Sequence, residues 1–180
     1  MTYGAVALRE VVVGDWRAVH VFAGVAEACR YQGWGPNTEE QTREFVRGAV
    51  DSGLRLPRVR FVYAACVGGE VVGIGELKVR SLAHRQGEIS YLVDPRVWGR
   101  GVGTAIGREL LSRGFGTLGL HRIFATCDPR NVASARVLGK LGMVFEGRHR
   151  HTVLIRDGWR DSDVFSILDQ EWAQGIVGSE

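Results

Sequence analysis

The 180-residue chain is poor in the features that would place it outside the ordinary globular classes. It has three cysteines, four prolines and two methionines. Cys29, Cys66 and Cys127 are odd in number and far apart, with no C-x-x-C pair, which excludes a disulfide framework and a redox or zinc-binding dithiol. Each reads as a small core hydrophobe. No apolar run approaches the ~18 residues that a membrane helix needs, and no basic segment leads into an apolar one at the N-terminus. A reducing cytoplasm is therefore expected, with no membrane partner.

Charge of one sign is also scarce. Lys and Arg number 23 against 20 Asp and Glu, a formal net charge of +3. Nor is there a run of five or more basic residues, although 148–156 is locally rich in Arg and His. Nucleic acid is not an expected partner. Repeats, linkers and low-complexity segments are missing too. With 45% hydrophobic and 24% charged residues, the composition suits one domain, 1–180, with its core at about 6–172.

What is present centres on Ser90 to Thr104, Ser-Tyr-Leu-Val-Asp-Pro-Arg-Val-Trp-Gly-Arg-Gly-Val-Gly-Thr. An apolar strand ends at Val93, turns at Asp94-Pro95, and meets Gly99, Gly101 and Gly103 just before a pattern of helical period. The first N–H groups of a helix lack intrahelical partners and carry the positive end of its dipole. Glycines let that backbone close around phosphate oxygens, and Arg100 could add charge. The dinucleotide spacing G-x-G-x-x-G fails, because Thr104 or Ile106 falls at its last place, and no Gly-Lys-Ser/Thr of a P-loop occurs. An ordinary glycine turn capping a helix is the alternative.

The rest of the chain alternates readily. Val6 to Val13 reads as a strand, with Asp15 the N-cap of a helix carrying Trp16, Val19, Phe22 and Ala23. Arg30 to Asn37 breaks the pattern with two glycines, a proline and two aromatics, as binding loops do. Thr38 with Gln41 forms a capping box before Phe45, Val46 and Ala49. Val59 to Val67 and Val71 to Val79 flank Gly68-Gly69, a hairpin signal. A polar connection, Ser81 to Gly87, leads to a strand from Glu88 to Val93. Ile106, Leu110, Leu111 and Phe115 mark a helix that dissolves at Gly114-Phe-Gly116. Ile123 to Cys127 is a short strand, and Asn131 caps a helix with Val137, Leu138 and Leu141 that stops at Gly142. A long hairpin, Met143 to Ile155 and Trp159 to Leu168 about Asp157-Gly158, closes the chain. The order βααββ then βαβαββ predicts an α/β fold with a mixed sheet and helices on both faces.

Trp98-Gly-Arg-Gly-Val-Gly-Thr104 resembles the acyl-CoA pyrophosphate loop of the GNAT superfamily of N-acyltransferases, whose pattern is Gln/Arg-x-x-Gly-x-Gly/Ala. Trp98 stands where Gln or Arg is usual, which is similar to the RimJ/RimL branch, the ribosomal-protein N-terminal acetyltransferases and their relatives. A second stretch is more specific. Asn131-Val-Ala-Ser134, running on through Gly142-Met143-Val-Phe-Glu-Gly147, resembles that branch's Asn-x-x-Ser helix and its Gly-Phe-x-x-Glu-Gly exit, with Met143 in place of Phe. Glu88-Ile-Ser-Tyr91 resembles its Glu-Ile-Gly-Tyr, and Asp157-Gly-Trp-Arg-Asp161 followed by Glu171-Trp172 resembles its closing hairpin. The resemblance spans about 6–172.

It implies a GNAT fold, a mixed central sheet of about seven strands flanked by helices, and an enzyme that uses acetyl-CoA as co-substrate. The acceptor would be a primary amine, either a protein or peptide N-terminus or a small molecule. The pantetheine arm would lie along Tyr91, Leu92 and Val93, with the pyrophosphate held by the backbone at Trp98, Gly99, Arg100, Gly101, Val102, Gly103 and Thr104. Asn131 would contact the pantetheine amide region, or be a plain helix cap. Ser134 would hydrogen-bond the departing thiolate, or be a small packing residue. Glu88 is the candidate general base, acting through a water, or else an ion-paired carboxylate. A longer donor such as succinyl-CoA and a non-catalytic acyl-CoA-binding module are the alternatives.

His149 and His151 alternate on one strand and so share a face, but no third ligand stands near them and no metal is expected. With Arg148, Arg150 and Trp34 they line the acceptor cleft or solvate an edge. A homodimer through the closing strands or the 81–87 connection is a further expectation.

Overall fold

A computed structural model describes residues 4–177. Its centre is a seven-stranded sheet made of β1 (Ala7–Glu10), β2 (Arg60–Val67), β3 (Glu70–Ser81), β4 (Gln86–Val93), β5 (Arg122–Cys127), β6 (Val144–Ile155) and β7 (Gly158–Leu168). The strands lie in the order β1-β2-β3-β4-β5-β7-β6. Every pairing is antiparallel except that of β4 with β5.

Helices cover both faces, and alternation along the strands shows why. On β2, Phe61, Tyr63 and Ala65 point to one side and join Ile106, Leu110 and Leu111 of α3 (Val102–Ser112), Leu138 of α4 (Val132–Lys140) and Leu141 at its C-cap. Val62 and Ala64 point to the other, against Val19 and Phe22 of α1 (Trp16–Ala23) and Val46 and Ala49 of α2 (Glu39–Gly53). A sheet buried on both sides needs apolar residues at successive positions, which accounts for the unbroken run in β2. Gly107 lets α3 approach α4, because a Cβ there would stand 2.4 Å from Leu141 Cδ1.

The capping box at α2 forms as expected, Gln41 N donating to Thr38 Oγ1 at 3.3 Å and Thr38 N to Gln41 Oε1 at 2.9 Å. Asp15 behaves differently. Its carboxylate accepts from Val12 N at 2.8 Å and from both Arg9 Nη atoms at 2.7 Å, tying β1 to the turn before α1 rather than capping that helix. The connection after β3 is shorter than 81–87, since pairing continues to Ser81↔Gln86. As the sequence suggests, α3 ends as an α-helix before Gly114, at Ser112. The chain then widens into a π turn over Arg113–Thr117, and Phe115 packs 6.1 Å from the Trp172 ring on α5 (Asp169–Val177), a helix without a sequence signal strong enough to predict it.

The one parallel pair makes the feature that matters for function. β4 and β5 pair only at Gln86↔Arg122, Gly87↔Ile123 and Glu88↔Phe124. Beyond that, β4 stays with β3 as far as Val93↔Gly73 and β5 with β7 as far as Cys127↔Asp163. The sheet therefore splays between Ile89 to Val93 and Ala125 to Cys127, at the carboxyl ends of two parallel strands, the usual place for a ligand in such sheets. Both strands leave by the same local device. Asp94-Pro95-Arg96 and Asp128-Pro129-Arg130 each bury an aspartate to 1% exposure, and each carboxylate accepts the backbone N–H and the guanidinium of the arginine two residues on. Among the described residues no helix is long and apolar enough to cross a membrane.

Candidate active site

Two cavities meet at the splay. The larger, about 360 Å³, runs from Leu92 and Val93 past Val97, Trp98 and Gly99 to Gly101, Val102, Gly103 and Thr104 at the start of α3. The smaller, about 160 Å³, lies between the parted strands and is lined by Glu88, Ser90, Ala125, Thr126, Cys127, Asp128 and Arg160. Tyr31, Gln32, Tyr91, Asn131 and Ser134 line both.

The larger cavity has the local chemistry of an anion cradle. Gly101, the N-cap of α3, has φ 82°, and its position offers no side-chain cap for the first helical N–H groups. Gly99 has φ 74°, and a Cβ at either glycine would meet nothing within 4 Å. Those glycines are thus required by backbone conformation and leave the amides open to a ligand. Trp98 is half exposed, with its Nε1 donating to the Val93 carbonyl at 2.9 Å, so the indole fastens the loop to the end of β4. Leu92 contributes its main chain, since its side chain is buried under α1 and α2. Arg100 lies on the loop but is not part of the lining.

Tyr91 is placed differently from a simple main-chain contact. Its ring passes under Gly103 toward α4, and its hydroxyl lies 3.1 Å from Ser134 Oγ. Burial pushes the phenol up to about 12, with the Ser134 contact pulling the other way. Asn131 caps α4, its Oδ1 accepting Ser134 N at 3.1 Å, while its amide NH₂ takes no part in that cap. The cap and a wall position in both cavities coexist. Ser134 is therefore held from two sides, by Asn131 through its backbone and by Tyr91 through its hydroxyl.

Glu88 borders the smaller cavity and is ion-paired, Arg80 Nε donating to its Oε2 at 2.6 Å. Of the two sequence expectations for Glu88, the ion-paired carboxylate is the one the structure shows. Cys127 is buried at the same wall, and burial pushes its thiol up to about 11, with Asp163 and Asp128 adding to the rise and Arg160 opposing it. Burial alone would raise Asp128, but its hydrogen bonds from Arg130 hold it below the usual carboxylate range.

The expected acceptor-cleft group does not assemble. Trp34 lies tilted against Phe45, ring centroids 5.0 Å apart, inside the α1–α2 layer, and Arg148 is exposed and paired with Asp163. His151 sits at φ 50° within a register shift between His149 and Val153, so strict alternation does not carry across the two histidines. Among the described residues no group of three or more His, Cys, Asp or Glu could hold a metal. The 30–37 loop does reach the site, through Tyr31 and Gln32. It is gripped by the closing hairpin, with Arg160 Nη1 donating to the Tyr31 carbonyl at 2.9 Å, Arg156 Nη2 to the Cys29 carbonyl at 2.6 Å, and Arg156 Nη1 to the Gly35 carbonyl. Thr126, Cys127 and Asp128 had one usable signal, their place at the end of a strand after the glycine loop. Arg160 had none.

A splayed parallel pair with a glycine-lined helix N-terminus at one end and a serine on the neighbouring helix defines an acyl-CoA-dependent transferase. The chain belongs to the GNAT family: residues 6–144 match the family model described as an acetyltransferase (GNAT) domain. It is 30% identical over 166 residues to the uncharacterized N-acetyltransferase YnaD of Bacillus subtilis, covering 92% of this chain and 94% of that one. It is 26% identical over 170 residues to the spermidine N(1)-acetyltransferase of Escherichia coli K12, covering 93% and 88%. The crystal structure of a GNAT-family acetyltransferase from Bacillus anthracis superposes with a TM-score of 0.79 at 28% identity, covering 93% and 97%. The protein is an acyl-CoA-dependent N-acetyltransferase with acetyl-CoA as its co-substrate.

Proposed function

We propose that the chain, as a single cytoplasmic domain of the RimJ/RimL-like branch, transfers an acetyl group from acetyl-CoA to the primary amine of a small molecule or a peptide N-terminus by direct attack. The pantetheine arm adds to the free edge of β4 at Tyr91, Leu92 and Val93. The pyrophosphate lies on the loop from Trp98 to Thr104, held by its backbone N–H groups, with Arg100 adding charge at the rim. Asn131 meets the pantetheine amides, and the thioester reaches the smaller cavity where the two cavities share a wall.

There the amine nitrogen attacks the thioester carbon, the carbon–sulfur bond breaks, and sulfur leaves as thiolate. Glu88 takes the amine proton through a water, and the Ser134 hydroxyl, steadied by Tyr91, donates a hydrogen bond to the sulfur. A serine hydroxyl is too weak an acid to surrender its proton outright, so stabilising the thiolate is the role its chemistry suits. The observation that supports this reading is the splay itself, beside which the two cavities share Ser134, Tyr91 and Asn131, with Glu88 lining the smaller one. A non-catalytic acyl-CoA-binding module would have no use for a carboxylate in the smaller cavity and a serine where the two cavities meet. The reading includes a homodimer through the closing hairpin, whose outer strand β6 leaves Phe145 and Leu154 exposed.

The test is thiol release from acetyl-CoA against panels of small amines and of peptides with varied N-terminal residues. Saturable release with one member supports the transferase. Binding of acetyl-CoA with no release from any acceptor would favour the binding module.

A further inference from the structure

Building on the transferase reading, we propose that Arg160 recognises a carboxylate inside the smaller cavity, so that one of the two reactants, the amine or the acyl chain, carries an anionic group. Arg160 is 9% exposed, rises from β7 and lines the cavity. Two of its five N–H donors are used, Nη1 to the Tyr31 carbonyl at 2.9 Å and Nη2 to Ser162 Oγ at 2.8 Å. Nε is buried without a partner. Both acceptors are neutral, so neither calls for a charge.

The carboxylates around it take their hydrogen bonds from other groups, although Arg160 lies near enough to Asp128 to help hold that carboxyl low. Asp128 takes Arg130 on both oxygens, Glu88 takes Arg80, Asp163 takes Arg148, and Asp161 accepts His151 N at 2.9 Å. Among the described residues none forms an ion pair with Arg160. A buried guanidinium with no carboxylate hydrogen-bonded to it is costly, and its planar fork matches a carboxylate. A ligand carboxylate supplies that directly bonded charge. The cavity's 160 Å³ corresponds to about five waters, the scale of a small amino acid or a short acyl acid. A polyamine would bring more positive charge to Arg160, so where the amine carries the carboxylate the acceptor differs from that named for the spermidine acetyltransferase relative.

The experiment compares wild type with Arg160→Gln and Arg160→Lys. On the acceptor arm, thiol release is measured with glycine, alanine and glycylglycine and with the amide of each. On the donor arm, acetyl-CoA is compared with succinyl-CoA. Comparing the acid-to-amide ratio of kcat/KM between proteins removes the intrinsic difference in amine basicity. The expected result is that this ratio falls about tenfold or more in Arg160→Gln, the scale of a lost charge-assisted hydrogen bond, and is partly kept in Arg160→Lys. The same collapse on the donor arm alone assigns the carboxylate to the acyl chain. An unchanged ratio on both arms overturns the proposal.

If no combination releases thiol, the transferase reading itself fails. Arg160 is then read by heat stabilisation of the CoA-saturated protein. Protection by N-acetylglycine or succinate but not by N-acetylglycinamide, lost in Arg160→Gln, supports the carboxylate site. Equal protection by the acids and the amide, or none, overturns it.

Discussion

The Tyr91 hydroxyl and Ser134 Oγ lie 3.1 Å apart, one side chain rising from β4 and the other from the first turn of α4. With the phenol raised to about 12, Tyr91 stays protonated through the physiological range and can hold the serine oxygen in place without ionising. Tyr91→Phe is expected to lower kcat several-fold while the KM for acetyl-CoA changes little. Ser134→Ala should lower kcat further, with acetyl-CoA binding kept. If either change abolished binding in calorimetry, the pair would be part of the CoA wall and not of the transfer step.

Glu88→Gln removes the proposed base and leaves Arg80 without its partner. The expected loss in kcat is about 10²-fold, the lower range for a general base, together with disappearance of the acid limb of the kcat–pH profile. A variant that keeps the acid limb would move the base elsewhere, and Arg80→Ala serves as the control for the broken ion pair.

Gly101→Val tests the phosphate cradle. A β-branched residue at φ 82° costs about 1–3 kcal/mol in backbone strain, but there is empty space for its Cβ. Native far-UV circular dichroism with loss of CoA binding is therefore expected. Gly107→Val should behave oppositely, lowering Tm through its clash with Leu141. Retained CoA binding in Gly101→Val would refute the loop's assignment.

Asp128 couples the site to stability. Its folded-state pKa lies below the unfolded value of about 3.9. The stabilisation is thus present above about pH 4 and lost as pH falls through the lower folded value. Asp128→Asn should cost about 1–3 kcal/mol near pH 7, and denaturant titrations at decreasing pH should show that deficit shrinking. A deficit independent of pH would mean that packing, not charge, is what Asp128 contributes.

The cysteines make a further check, which also bears on any thiol-release assay. Burial raises both Cys29 and Cys127, whereas Cys66 is half-buried. A thiol probe at pH 7.5 should modify Cys66 first and reach the other two only on unfolding. Fast labelling of Cys127 in the native protein would show that the smaller cavity admits the probe.

The parts of this protein that depend on neighbours in the chain were legible in the residues. The glycine loop before α3, the capping box at Thr38 and Gln41, the Asn131 cap and the Asp157-Gly158 hairpin turn are local devices, set by φ, hydrogen bonds within a few residues and period. The strand and helix order followed from them, as did the placement of helices on both faces. The Asp15 cap and the histidine face went astray where another interaction outweighed the local pattern: Arg9 on Asp15, and the register shift opposite β7.

How the site's walls come together belongs to the tertiary structure alone. The sequence determined that β4 and β5 are strands. That they part after Glu88↔Phe124 was decided by β3 and β7 holding them on their outer sides, the latter arriving from the end of the chain. That same insertion of β7 carries Arg160 beneath Tyr31, 129 residues away in sequence. No periodicity or spacing records such a meeting, because it is set by how layers pack and not by what adjoins along the backbone.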